Sequence, residues 1–113
     1  MAGAPGPRQE GAAAQAVATV VYGAKAIADL ERLFNFLAQH DPQAAMAAAA
    51  SIGSAIDVLS EHPLIGRRLS GNLRELVISF GRTGYLALYR FVPALDEVRV
   101  LAIRHQREVG YPD

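Results

Sequence analysis

The chain has 113 residues, 51% of them hydrophobic, and contains no cysteine or tryptophan. That length makes one domain with one core, and the missing cysteines exclude disulfides, thiolate catalysis and cysteine-based zinc sites. The 11 basic and 11 acidic residues cancel, which excludes a polycation, but eight arginines and no lysine fall in residues 64–113 against five acids.

Residues 1–16, MAGAPGPRQEGAAAQA, are Ala, Gly and Pro with few large side chains. They are expected to form a disordered extension, and they lack the apolar stretch of a secretory signal. Order is expected from VATVVYG (17–23), where Val17, Thr19, Val20, Val21 and Tyr22 favour a strand and Gly23 stops it. The period then changes. Ile27, Leu30, Phe34 and Leu37 share one helical stripe with Leu33 beside it, and Asp29, Glu31 and Arg32 lie on the other side. Asp41 is a good N-cap for a second helix, and Pro42 suits its first position. The stripe expected to be buried there is Met46, Ala49, Ile52, Ile56 and Leu59. Its alanines and Gly53 make a thin face that lets the first helix approach closely. The polar back of this helix is incomplete, so part of it is expected to meet something else. The uncharged run from Pro42 to Ile56 is too short and too weakly apolar to span a membrane. His62-Pro63 ends the helix, because the residue before proline is pushed out of the helical region.

Beyond HPLIGRRLSG the period drops to two. LRELVISFG (73–81) alternates Leu76, Ile78 and Phe80 with Glu75, Val77 and Ser79. Residues 81–84, GRTG, turn into a second strand, GYLALYRF. After the turn PALD, EVRVLAIRH (97–105) alternates Val98, Val100 and Ala102 with Arg99, Leu101 and Ile103. The expected fold is α+β over residues 17–113: an N-terminal strand, an antiparallel helical hairpin, and a three-stranded antiparallel meander in one small sheet. No Gly-rich phosphate loop appears, and no metal or cofactor is expected.

Chemistry-bearing side chains gather in LAIRHQREVGY (101–111), where His105 stands between Arg104 and Arg107, with Tyr111 beyond. His105 is suited to acid–base work near neutral pH. A strand sends neighbours to opposite faces, however, so Arg104 and His105 diverge if the strand persists that far. His40 and His62 lie near helix ends, where an interfacial or capping role is the plainer reading. Tyr85, Tyr89 and Tyr111 read as packing residues. Arginine's planar fork suits carboxylates and phosphates, so Arg67, Arg68, Arg74, Arg82 and Arg104 are candidate contacts to an acidic partner or solvated strand faces.

Several segments in this order resemble the RelE/ParE superfamily of bacterial toxins from type II toxin–antitoxin systems. AKAIADLERLFNFLAQHDPQAA is similar to the first helix and its turn. AIDVLSEHPLIGRRL is similar to the end of the second helix, with the exit Pro63, Gly66 and Arg67. RELVISFGRTGYLALYRF and VRVLAIRHQREVGY are similar to the central hairpin and last strand. The resemblance covers roughly Val17 to Tyr111.

The resemblance implies a cytoplasmic, growth-arresting toxin. Its cognate antitoxin would neutralise it through an acidic C-terminal segment that is disordered until bound, and would provide its only DNA contact. RelE-like members cleave messenger RNA on the ribosome, whereas ParE-like members poison DNA gyrase. The resemblance places the RelE-like lysines at Val77 and Ser79 and one arginine at Leu86. Only Arg107 and, with a gap, Tyr111 match, and a histidine-based nuclease would add His105. The ParE-like alternative, with gyrase as partner and no catalytic residue, is therefore preferred. An mRNA endonuclease and a degenerate toxin that only binds its antitoxin stay open.

Overall fold

A computed structural model describes residues 17–108. Residues 1–16, read above as an extension, and Tyr111 lie outside them. The elements are β1 (Thr19–Tyr22), α1 (Ala24–Ala38), α2 (Pro42–Asp57), β2 (Arg67–Ser70), β3 (Leu73–Phe80), β4 (Thr83–Val92) and β5 (Glu97–His105). Short 3-10 turns follow α2 and β4. One sheet has the order β1-β5-β4-β3-β2, with β1 parallel to β5 and all other pairs antiparallel. The two helices cover one face of it.

The expected hairpin and meander are present, with one strand more than the sequence pattern indicated. β2 is four exposed residues, Arg-Arg-Leu-Ser, on the sheet edge. A strand buried on neither side leaves no alternation to read. Its place is set instead by pairing with β3 across a turn at Gly71, whose φ is +54°.

Asp41 caps α2 as expected, its Oδ1 accepting the Ala44 N–H at 3.1 Å, with Pro42 at the helix start. The expected stripes are met in part: Leu30, Leu33 and Leu37 of α1 and Ile52, Ile56 and Leu59 pack in or against the core, but Ile27, Phe34, Met46 and Ala49 do not. On α1 the sheet side is Ala26, Asp29 and Leu33, while Ile27 and Phe34 are exposed. On α2 it is Ala45, Ala48, Ile52 and Ile56, continuing to Leu59, while Met46 is 66% exposed. Ala26 on α1 and Ala45 and Ala48 on α2 take inward places next to the large residues expected there, which periodicity weighted toward large side chains passes over. Ile56 and Leu59 are fully buried, and such side chains each contribute about 1.5–3 kcal/mol through burial. The stretch Pro42–Ser60 has the length and apolar composition of a membrane-crossing helix, but its inner stripe is the core of this domain.

β5 contains the other departure. Opposite β4 the pairing shifts between Leu88 and Tyr89: Ala102 faces Leu88, while Val100 faces Tyr89. Leu101 is thus an extra residue, a β-bulge that reverses the alternation beyond it. Val98, Val100 and Ile103 join the core cluster under the helices, and Ala102 does not. The regular alternation expected across 97–105 fails at this one residue.

Candidate functional site

The bulge decides which faces receive the candidate residues. Past Leu101, His105 shares the helix side of the sheet with Tyr85, its partner across the strands, and the rings meet edge-to-face at 5.3 Å. Arg104, paired with Leu86, points to the opposite face. The strand does persist to His105, so the two neighbours diverge.

On the helix side, His105 lines a cavity of about 650 Å³ with Phe36, Phe80, Thr83, Tyr85 and Arg107 among its walls. His105 Nε2 is hydrogen-bonded to the Thr83 hydroxyl. Its Nδ1 lies 3.1 Å from the Arg107 backbone nitrogen. A backbone N–H only donates, so Nδ1 must accept and Nε2 must carry the proton that reaches Thr83. This is the wrong tautomer for drawing a proton from that hydroxyl. Burial pushes the Tyr85 phenol above its ordinary value, so it remains an un-ionised group rather than a base.

The segment after β5 is tied down. Glu108 accepts the His105 N–H at 2.8 Å and pairs with Arg32 of α1 at 2.8 Å. The Arg104 guanidinium turns back to the Glu108 carbonyl at 2.5 Å. One turn back along α1, Asp29 is buried, accepts the Ile103 N–H at 2.8 Å and is bonded to Lys25 at 3.1 Å. Asp29 was expected on the polar side of α1; its identity as the acceptor for a strand edge is invisible to helical periodicity.

On the uncovered face, Val77 pairs with Leu86, and Leu86 with Arg104, in one row across β3, β4 and β5. Ser79 lies two residues along β3. The three positions that the resemblance implies for RelE-like cations are thus neighbours here, and they are filled by Val, Ser and Leu. Val77 is 61% exposed, so the patch faces solvent.

The remaining arginines divide by role. Arg67 is ion-paired to Glu75 at 2.6 Å and Arg68 donates to the Gly71 carbonyl at 3.1 Å, both on the β2 edge. Arg74 donates to the Leu64 and Gly66 carbonyls at 3.0 and 2.9 Å, which makes it a brace for the preceding loop. Arg82 is exposed at the β3–β4 turn. His40 Nδ1 lies 3.4 Å from the Phe36 carbonyl at the end of α1, in line with a capping role. Among the described residues no cluster of three or more His, Asp or Glu is placed to hold a metal ion. A second cavity, about 280 Å³, runs between the helices past Leu30, Phe34, Ala45, Ala49 and Gly53.

Comparison with known proteins agrees on the fold and the family. The family described as "ParE toxin of type II toxin-antitoxin system, parDE" matches residues 20–110. Toxin RelE3 of Caulobacter vibrioides is 41% identical over 90 residues, covering 80% of this chain and 96% of that one. The chromosomal ParDE system of P. aeruginosa superposes with a TM-score of 0.67 at 22% identity, covering 79% of this chain and 96% of the other. The RelBE2 toxin–antitoxin complex of Mycobacterium tuberculosis gives 0.56 at 26% identity, covering 81% and 94%.

Proposed function

Because the chain belongs to the ParE toxin family of type II toxin–antitoxin systems, we propose that it arrests growth by contact with a protein, DNA gyrase first, without cutting nucleic acid. The observation that carries this reading is the row Val77–Leu86–Arg104 with Ser79 beside it. Cleaving RNA requires cations and an acid–base group converging on one phosphate, and two of these side chains are hydrocarbon. The tautomer of His105 argues the same way on the other face. A purified preparation at stoichiometric excess is expected to inhibit gyrase supercoiling; undiminished supercoiling would sink the gyrase assignment.

A second reading, a ribosome-dependent mRNA endonuclease, has one structural observation in its favour: Arg107 and His105 line the same cavity. A relative named RelE gives it further weight. It predicts that mRNA is lost in a cell-free translation mixture and that Arg107→Ala abolishes the loss. Under the first reading messages stay intact with either protein.

Neutralisation by a cognate antitoxin belongs to the same proposal, since the structural relatives include toxin–antitoxin complexes. The groove between α1 and α2 supplies a bed for apolar side chains, with the exposed Phe34 on its wall. Arg104 lies elsewhere, on the uncovered face of the sheet. An acidic segment using both must cross from the helix layer to the sheet, an extended wrapping suited to a chain that orders on binding.

A further inference from the structure

The loop between α2 and β2 combines a fixed backbone with exposed hydrocarbon. Leu64 is 57% and Ile65 53% exposed. Yet the backbone beneath them is held from several sides. The Tyr89 hydroxyl donates to the Pro63 carbonyl at 2.8 Å and accepts the Gly66 N–H at 2.9 Å. Arg74 bridges the Leu64 and Gly66 carbonyls, and the Ile65 N–H reaches the His62 carbonyl at 3.3 Å. Tyr89 is itself fully buried in the core. Nothing in the packing requires two adjacent large aliphatic side chains to be presented to water on so rigid a support. A preorganised apolar anchor loses little conformational freedom on binding, which is the property of an interface hot spot.

We infer that Leu64 and Ile65, flanked by Arg67 and Arg68, form a prong that inserts into an apolar cleft rimmed by carboxylates on the folded protein the toxin acts on. The inference rests on the toxin reading above and adds the surface through which it works. Charge sets the rim: Arg67 keeps most of its side chain exposed while paired to Glu75, and Arg68 is exposed beside it. Shape selects the occupant. A segment that folds as it binds uses a groove or an open strand edge, and Leu64 and Ile65 offer neither: they line neither cavity and lie before β2 begins. A rigid protrusion instead complements a cleft that already exists, so it suits a folded target rather than an antitoxin tail.

The test is induced expression of wild type, a Leu64→Ser/Ile65→Ser double variant and Arg68→Glu, with growth, thermal melting and affinity for the antitoxin measured for each. Both variants are expected to need at least tenfold more protein to arrest growth while binding the antitoxin within threefold of wild type. Arg68→Glu leaves the apolar pair untouched, so it carries the test if the double variant melts early. Undiminished arrest by Arg68→Glu and by a folded double variant overturns the prong. Parallel loss of arrest and antitoxin affinity overturns it too, by assigning the surface to the antitoxin. A wild-type chain that does not arrest growth overturns the toxin reading, and the prong with it.

Discussion

Asp29→Ala is expected to lower the unfolding free energy by about 3 kcal/mol, the sum of a lost charge-assisted bond and a buried N–H left without an acceptor. β1 ends opposite Val100, so the outer edge of β5 beyond that point has no neighbouring strand. Asp29 fills the gap from α1 by accepting the Ile103 N–H. Ile103 is fully buried and Asp29 is 4% exposed, so water does not replace the lost acceptor. In a domain this small the change corresponds to a melting temperature lower by about 10–20 °C. Asp29→Asn keeps an oxygen for the strand and loses only the charge facing Lys25 and Arg32, so it is expected to cost about 1 kcal/mol. Denaturant unfolding of the two variants separates these contributions; equal losses would mean that the ion pairs, not the strand contact, dominate. Amide exchange at Ile103 gives a local check, since its protection should collapse in Asp29→Ala alone.

Gly66→Ala is expected to be similarly disruptive, at about 2–4 kcal/mol, through overpacking together with weakened hydrogen bonds. A Cβ at this position would stand 2.6 Å from both Cε1 and the hydroxyl of Tyr89, and 3.0 Å from the Glu75 carbonyl oxygen. The ring is wholly buried and tied at its hydroxyl to Pro63 and Gly66, so it has nowhere to retreat. Tyr89→Phe removes those two bonds and is expected to cost about 1–3 kcal/mol. The double variant should lose less than the sum, because each change already breaks the same contact; strict additivity would show that Gly66 and Tyr89 act independently. Alkaline titration adds a second measurement. Burial holds the Tyr89 phenol above its ordinary value of 10.0, so the un-ionised form stabilises the fold below that pH and the contribution fades as pH rises through the folded value. Tyr22 and Tyr85 are also raised by burial, so Tyr89→Phe should make this alkaline loss shallower without removing it.

Most of the element order was legible because its signals are local. Asp41-Pro42 starts α2 through a side-chain cap and a ring that needs no hydrogen-bond donor. The two-residue alternation of LVISF and of GYLALYRF marks strands with one buried face. The failures share a cause as well. Met46 and Ile27 looked like core residues because they are large, yet the neighbouring Ala45 and Ala26 are the ones buried. Asp29 looked like surface because it is charged. Its burial follows from an unpaired strand edge 74 residues away in sequence, which no window along the chain contains.

The candidate site divides in the same way. The sequence placed Arg104, His105 and Arg107 close together, and it showed Val, Ser and Leu at Val77, Ser79 and Leu86. Only the pairing of β3 with β4, and of β4 with β5, brings Val77, Leu86 and Arg104 into one row. Only the bulge at Leu101 sends His105 toward the helices, where the Arg107 N–H selects its tautomer. The sequence by itself determined the family, the helical hairpin and the residue types available for chemistry, because those depend on composition, spacing and short-range backbone preference. Which face each of those residues serves was decided by tertiary structure. A single extra residue in a strand reverses every side chain beyond it, and that residue is identified by its partners across the sheet rather than by its neighbours along the chain.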